Sequence, residues 1–184
     1  MHWVLGKPML LSRDDLVSAL FCETERSQRM KMPLALIAIG LVDCERRQVE
    51  RGKGIFEHAV CDIVERITRL LRCYDSVGRI ADGEFVLVLP GCNLSNAKTL
   101  AERLRDEVFQ TQVEAGGEKI QLNACYGVAS SGGRSPLVVL LEMERALQRS
   151  RAAGPGTIQS FADEEKLDPA TFLLPVLKDE PLHW

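Results

Sequence analysis

The fold is decided by the stretch Arg79-Ile80-Ala81-Asp82-Gly83-Glu84-Phe85-Val86-Leu87-Val88-Leu89-Pro90. It contains a β-like run at residues 84–89, and a second such run at residues 76–80 precedes it. Ala81-Asp82-Gly83 joins the two runs, and an Asp-Gly pair between apolar runs is a strong signal for a tight turn. Pro90-Gly91 ends the second run, so this part of the chain predicts a β-hairpin.

Alternating helices and strands are predicted on both sides of this hairpin. Residues 34–42 are almost continuously apolar, which is typical of a central strand that is covered on both faces. Apolar residues recur at helical spacing over residues 12–31 and 55–72, from Asn93 or Ser95 onward, and over residues 136–153. Further strands are expected at residues 119–130 and 157–161, whereas residues 46–54 are polar.

This order of elements predicts an α/β (α+β) fold. Helices that alternate with strands around one hairpin indicate a mixed central sheet of about five strands with helices packed on it, as in a ferredoxin-like core. The 184 residues suffice for one well-buried core, so we expect one domain over residues 1–161 and a tail over residues 162–184. The tail contains an apolar run at residues 172–177, and it either packs on its own domain or docks to a partner.

Composition excludes several classes of function. The net charge of -3 provides no positive field for a polyphosphate backbone, so nucleic acid is not an expected partner. No stretch approaches the ~20 apolar residues of a membrane span, so no membrane insertion is expected. The 6 cysteines form no Cys-x-x-Cys pair and mostly interrupt apolar segments, which predicts buried thiols, no zinc site and a reducing, cytoplasmic location.

The hairpin stretch resembles the signature of the GGDEF family, the diguanylate cyclases. The flanking segments agree in order and spacing from about residue 12 to residue 161: Pro33-Leu34-Ala35-Leu36, Ala101-Glu102-Arg103-Leu104-Arg105, Tyr126-Gly127-Val128-Ala129, Arg145-Ala146-Leu147 and Ala153-Gly154. The resemblance implies the palm core of the nucleotide cyclases. It also implies a domain that acts as a dimer and joins two GTP molecules into cyclic di-GMP by a two-metal phosphoryl transfer.

The chain departs from the family where the metal binds. The resemblance aligns the metal-binding aspartate of the first strand with Gly40, and the acidic third residue of the signature with Gly83. Asp82 replaces a glycine that the nucleotide approaches closely, and its negative charge should repel a phosphate. Only Glu84 matches a family carboxylate, so the signature is degenerate over Ala81, Asp82, Gly83, Glu84 and Phe85.

The family's contacts to guanine and phosphate have also changed. Gln48 stands where the family has Asn, Glu57 where it has Asp, and Arg151 where it has a phosphate-binding Lys. These replacements keep the charge or the hydrogen-bonding type, so they leave weak GTP binding without turnover open. Mg²⁺ is expected as a cofactor only if such residual GTP binding survives.

A second ligand site of the family is retained. Arg72-Cys73-Tyr74-Asp75 matches the Arg-x-x-Asp motif with which family members bind their product, and Arg103 matches a second arginine of that site. Arginine can donate two hydrogen bonds to guanine or phosphate, and a carboxylate can accept from guanine N1 and N2. The alternative is structural: Arg72 complements the carboxyl end of its helix, and Asp75 begins the turn into the next strand.

Three hypotheses of function follow. The first is a GGDEF-like domain, inactive as a cyclase, that binds cyclic di-GMP through Arg72, Asp75 and Arg103 and signals to a protein partner. The second is a protein-interaction or scaffold domain that binds no nucleotide. The third is a residual cyclase in which Glu84 rebuilds a metal site with Asp82 or Asp43.

Overall fold

The computed structural model describes residues 3–4, 7–8 and 10–161. Its helices are α1 (Arg13–Met30), α2 (Cys44–Arg51), α3 (Lys53–Leu70), α4 (Leu94–Arg103), which continues as a π-helical turn over Leu104–Phe109, and α5 (Pro136–Ala153). Its strands are β1 (Trp3–Val4), β2 (Lys7–Pro8), β3 (Leu10–Leu11), β4 (Leu34–Leu41), β5 (Ser76–Ala81), β6 (Glu84–Pro90), β7 (Val113–Ala115), β8 (Glu118–Ile120), β9 (Ala124–Ser130) and β10 (Ile158–Ser160). The tail over residues 162–184, with both interpretations given to it, lies outside the described residues.

The main sheet is mixed and has 6 strands in the order β10-β9-β4-β6-β5-β3. β4 pairs antiparallel with β6 on one side and with β9 on the other, and β10 and β3 add parallel strands to β9 and β5. All 8 residues of β4 are buried, as predicted for a central strand. The predicted mixed sheet and the predicted hairpin between β5 and β6 are therefore confirmed.

Helices cover the sheet on both faces because the side chains of β4 alternate between two cores. Ile37 and Ile39 pack in the core below α3 and α4, whereas Leu36 and Ala38 pack in the core below α1 and α5. A strand with an apolar layer on each side needs apolar residues at every position. This requirement explains why the sequence is almost continuously apolar over residues 34–42.

Local signals fix several helix ends. Ser12 accepts a hydrogen bond from the backbone N–H of Asp15 at 3.2 Å and caps α1, and Asn93 caps α4 in the same manner through Asn96. Pro136 begins α5, where its missing N–H has no helical partner to lose. The helices predicted from these residues are confirmed.

Two segments differ from the sequence analysis. Residues 119–130 do not form one strand, because Gly116 and Gly117 adopt positive φ angles of 62° and 79° and turn the chain into a β7–β8 hairpin before β9 begins at Ala124. Residues 44–51 form α2, and this helix was not predicted from the polar stretch over residues 46–54. No residue of α2 is buried, so the segment lacks the apolar stripe by which an amphipathic helix is recognised.

The interpretation of the cysteines as mainly buried hydrophobes was also wrong. Cys22, Cys61 and Cys73 are exposed, Cys44 and Cys92 are half-buried, and only Cys125 is buried; all are free thiols. Within the part of the chain that the structure describes, no helix is long and apolar enough to cross a bilayer.

Candidate functional site

The turn of the signature hairpin is closed against the start of α2. Gly83 adopts a φ of 71°, and its carbonyl accepts a hydrogen bond from the backbone N–H of Leu41 at 2.8 Å. A Cβ atom on Gly83 would overlap the Sγ atom of Cys44. A carboxylate at this position would therefore need both an unfavourable backbone conformation and a displaced Cys44. Burial raises the pKa of the Cys44 thiol, so the neutral thiol is favoured here.

A guanidinium group occupies the space next to Gly40. Gly40 lies in β4 opposite Glu84 of β6, and Arg151 reaches this point from the last turn of α5. The Nη2 atom of Arg151 donates to Oε1 of Glu84 at 2.5 Å. A Cβ atom added to Gly40 would lie 2.6 Å from the same Nη2 atom. Arg151, expected as a phosphate contact, is thus engaged with the one carboxylate of the signature that matches the family.

The other carboxylates near the turn are paired with different arginines. Asp82 accepts a hydrogen bond from Nη2 of Arg79 at 3.0 Å, and Asp43 accepts one from Nη2 of Arg46 at 2.7 Å. β4 ends at Leu41, and Asp43 adopts a left-handed φ of 58° at the start of α2, so Asp43 lies outside the strand that carries Gly40. In residues 3–4, 7–8 and 10–161 no group of three or more His, Cys, Asp or Glu side chains could hold a metal ion.

The residues at the signature turn do not fit the Mg²⁺ that the resemblance to the family implies. Mg²⁺ requires oxygen ligands in near-octahedral geometry, commonly with one or two carboxylates. Glu84 is the carboxylate that remains at the signature, and it already binds Arg151.

Glu57 is held by an arginine that the sequence analysis did not single out. Arg79 donates from Nη1 and Nη2 to the two carboxylate oxygens of Glu57, each at 2.9 Å. The hydrogen bond from Arg79 lowers the pKa of Glu57. Gln48 lies on α2. The ion pair of Arg79 with Asp82 could have been predicted, because the two residues are three positions apart in the sequence. The ion pair of Arg79 with Glu57 could not, because it joins residues 22 positions apart and depends on the fold.

Arg72, Asp75 and Arg103 line one cavity. It has a volume of 290 Å³ and lies between the end of α3, the end of β6 and the outer side of α4. Its other lining residues are Leu70, Leu89, Cys92, Asn96, Thr99 and Leu100. The structure therefore brings Arg103 of α4 next to Arg72 and Asp75, and the resemblance grouped these three residues as one site.

Asp75, Arg72 and Arg103 differ in their exposure and in the partners that they already have within the protein. Asp75 is 5% exposed, and its Oδ2 atom accepts a hydrogen bond from the backbone N–H of Arg72 at 2.7 Å. Burial raises the pKa of Asp75. Arg72 is exposed, donates to the Tyr74 hydroxyl at 3.0 Å and lies 5.9 Å from the centre of that ring. Arg103 is exposed and pairs with Glu107 at 3.1 Å. Asp75 was considered as the residue that begins the turn into the next strand; in the structure it instead ends the turn that starts at Arg72, directly before β5, so it has a structural role in addition to its place in the cavity.

A family model described as "Diguanylate cyclase, GGDEF domain" matches residues 9–157 of the chain. Among curated proteins, the chain is 26% identical over 146 residues to diguanylate cyclase DgcP of Pseudomonas aeruginosa, a match that covers 79% of this chain. The chain spans only 22% of the length of that relative.

Solved structures agree with the fold. The diguanylate cyclase SiaD of P. aeruginosa, solved in complex with its activator SiaC, is 27% identical with a TM-score of 0.77, and the match covers 82% of this chain and 58% of that chain. The coiled coil and GGDEF domain of DgcB from Caulobacter crescentus, solved in complex with c-di-GMP, is 16% identical with a TM-score of 0.76, and the match covers 82% and 81% of the two chains. At 16% identity the latter likeness concerns the fold alone.

Proposed function

The chain belongs to the GGDEF family of diguanylate cyclase domains, and we propose that it acts in that family as a cyclic di-GMP receptor and not as a cyclase. The observation that carries this proposal is the cavity in which Arg72, Asp75 and Arg103 meet. Arg72 and Asp75 are neighbours in the sequence, but Arg103 comes from α4, and only the fold brings it to them. A family ligand that needs all three therefore has a single place to bind.

The chemistry of the cavity suits one guanine base and an adjacent phosphate. In the proposed complex, Arg72 donates to guanine O6 and N7 or to a phosphate oxygen, and Asp75 accepts from guanine N1 and N2. Arg103 supplies a second positive charge from α4. The Oδ2 atom of Asp75 is already used by the backbone of Arg72, and its Oδ1 atom is the acceptor assigned to the ligand.

The loss of metal ligands supports the second half of the proposal. Cyclisation of GTP by the family requires metal-bound carboxylates, and here two of their positions are Gly40 and Gly83. Glu84 is bound to Arg151, and Glu57 and Asp82 are bound to Arg79. Asp43 is bound to Arg46, so each acid that the third hypothesis names for a rebuilt metal site has a cationic partner within the protein, and that hypothesis is without support.

A protein partner would receive the signal. Met30, Met32 and Tyr74 are large apolar residues that are each about half exposed, at 54%, 47% and 48%. They line a cavity of 340 Å³ beside Pro90 and Gly91, immediately before Cys92 of the cyclic di-GMP cavity. This surface supports docking of a protein next to the ligand, in the cytoplasm, where the reduced cysteines would be maintained.

The proposal is tested by isothermal titration of the full chain with cyclic di-GMP, with GTP and Mg²⁺ as the parallel titrant. We expect saturable cyclic di-GMP binding in the low micromolar range or tighter, roughly -8 kcal/mol or better. Arg72→Ala and Arg103→Ala should each weaken it about tenfold, the loss of one charge-assisted contact. Arg69→Ala is the matched control, because Arg69 is an equally exposed arginine that pairs with Glu65 on α3.

Three outcomes would count against the proposal. Absence of heat with either nucleotide would favour the scaffold hypothesis, in which the domain binds no nucleotide. Unchanged affinity in the Arg72→Ala and Arg103→Ala variants would remove the site assignment. Formation of cyclic di-GMP from GTP and Mg²⁺ or Mn²⁺ would establish a cyclase.

A further inference from the structure

We infer that the guanidinium group of Arg151 replaces the divalent cation in this chain, as a resident positive charge that neutralises Glu84 and closes the position beside Gly40 to metal. The inference rests on membership of the family and on the geometry of the signature turn. It does not depend on the proposed ligand of the Arg72 cavity.

Steric fit is the first argument. The three atoms nearest to a Cβ position on Gly40 all belong to the end of the Arg151 side chain. A Cβ atom on Gly40 would lie 2.6 Å from Nη2, 3.1 Å from Nε and 3.2 Å from Cζ of Arg151. All three distances are shorter than ordinary carbon contacts, so a carboxylate on β4 would require the end of the flexible Arg151 side chain to shift. Glycine at this position thus leaves room for the observed contact between Arg151 and Glu84.

Charge is the second argument. Glu84 is 28% exposed and Arg151 is 42% exposed, so their ion pair is partly shielded from water. A metal that entered here would have to displace the guanidinium from its carboxylate and would find one carboxylate ligand in place of several. Asp82, the next acid in the sequence, is engaged by Arg79 on the other side of the turn. A divalent ion therefore gains too few ligands to displace Arg151.

The position of the pair gives it a mechanical role. Arg151 belongs to the last turn of α5, and Glu84 is the first residue of β6, 67 residues earlier in the sequence. In the sheet, β4 lies between β6 and β9, and Gly40 is paired with Glu84 on one side and with Cys125 on the other. The ion pair consequently ties the signature hairpin to α5 across β4. In this chain the tie requires no metal.

The test is Mn²⁺ binding by the full chain, followed through the electron paramagnetic resonance signal of free Mn²⁺. Wild-type protein and Gly40→Asp should both leave the signal of free Mn²⁺ unchanged, because in the variant Arg151 pairs with the new carboxylate. The double variant Gly40→Asp with Arg151→Ala should bind Mn²⁺ and reduce that signal, because two carboxylates then face the space without a cation. Gly40→Asp with Arg149→Ala is the matched control and should not bind, because Arg149 lies over the ring of Phe161.

Circular dichroism and thermal unfolding establish that each variant is folded, and Arg151→Gln replaces Arg151→Ala in the double variant if the latter does not fold. Mn²⁺ binding by the wild type, or equal binding by Gly40→Asp alone and by the double variant, would overturn the inference. Failure of the folded double variant to bind would also overturn it, since the position would then not be a cation site. None of these readouts changes if cyclic di-GMP fails to bind the Arg72 cavity.

Discussion

Arg79 and Glu57 form a two-point ion pair in which both terminal nitrogens of the arginine lie 2.9 Å from a carboxylate oxygen. The pair connects β5 of the signature hairpin with the beginning of α3. Paired hydrogen bonds of this kind are stronger and more directional than a single contact between charges. Glu57, which the resemblance aligns with a nucleotide contact of the family, therefore forms a structural link in this chain.

The first prediction concerns the pH dependence of this link. The pKa of Glu57 lies below its ordinary value of 4.5, chiefly because Arg79 donates to the carboxylate. The stabilisation is therefore present above that ordinary pKa and is lost as the pH falls through the lower pKa of the folded state. Glu57→Gln should lower the free energy of unfolding by about 1 kcal/mol at pH 7 and by almost nothing near pH 2–3.

Urea unfolding of both proteins over this pH range measures the difference. Glu50→Gln is a suitable control, because Glu50 forms a long, exposed contact of 3.7 Å with Arg46. It should change the free energy of unfolding by less than about 0.5 kcal/mol. A Glu57→Gln effect of the same size at every pH would contradict the assigned cause.

The second prediction separates the two roles of Asp75. An amide oxygen can replace the carboxylate as acceptor for the Arg72 N–H, so Asp75→Asn should keep the turn. Burial raises the pKa of Asp75, so its ionisation costs stability as the pH rises through the folded-state pKa, and Asp75→Asn should be at least as stable as the wild type at pH 7. Asp75→Ala leaves the Arg72 N–H without this acceptor and should cost about 1–2 kcal/mol.

Calorimetric titration with cyclic di-GMP tests the second role of Asp75, which is ligand binding. Asp75→Asn should weaken binding about tenfold or more, because the neutral amide loses a charge-assisted contact to guanine. A variant that folds like the wild type and binds like it would show that Asp75 serves only the turn.

The third prediction concerns the residue that orients Arg72. Tyr74 holds the Arg72 guanidinium through its hydroxyl and through its ring. Ordering a free arginine side chain on binding costs about 0.5–1.5 kcal/mol. Tyr74→Ala should therefore weaken cyclic di-GMP binding roughly three- to tenfold, whereas Tyr74→Phe keeps the ring and should lose less. Equal losses in the two variants would assign the whole effect to the hydroxyl, and no loss in either would show that Arg72 needs no support.

Sequence patterns predicted the parts of the fold that local chemistry determines. The apolar run of β4, the Asp-Gly turn and the proline that begins α5 each act on neighbouring residues, and each was confirmed. The ion pairs of Arg79 with Glu57 and of Arg151 with Glu84 join residues 22 and 67 positions apart. No spacing in the sequence predicts these two ion pairs, because they depend on how the fold places strands and helices next to each other.

The same distinction holds for the candidate site. The resemblance located Gly40 and Gly83 as lost carboxylates, and the residues alone could say no more. That a guanidinium fills the space next to Gly40 follows from the register in which β4 pairs with β6, and from the packing of α5 on β9 and β4. Asp75 shows the opposite case, since a role in a turn was predicted for it as an alternative and is present in the structure, at the end of the turn instead of its beginning.

The last prediction tests how α5 is positioned over the sheet. Gly127 of β9 lies directly beneath α5, and a Cβ atom there would lie 2.8 Å from the Cα atom of Leu147 and would overlap the backbone of Met143 and Leu147. Because these neighbours are backbone atoms, the helix as a whole must move. Gly127→Ala should cost about 3 kcal/mol and lower the thermal midpoint by roughly 6–12 °C.

The displacement should also reach the signature turn, because Arg151 follows Leu147 by one helical turn on α5. We expect Gly127→Ala to weaken the contact between Arg151 and Glu84, measurable as faster hydrogen exchange of the Arg151 guanidinium by NMR. Gly54→Ala is the control: Gly54 lies in α3 with no atom within 4 Å of an added Cβ, so alanine should stabilise the protein by about 0.5–1 kcal/mol. If Gly127→Ala lowered stability and left the Arg151 exchange unchanged, the helix would be held over Gly40 by contacts other than its close approach to β9.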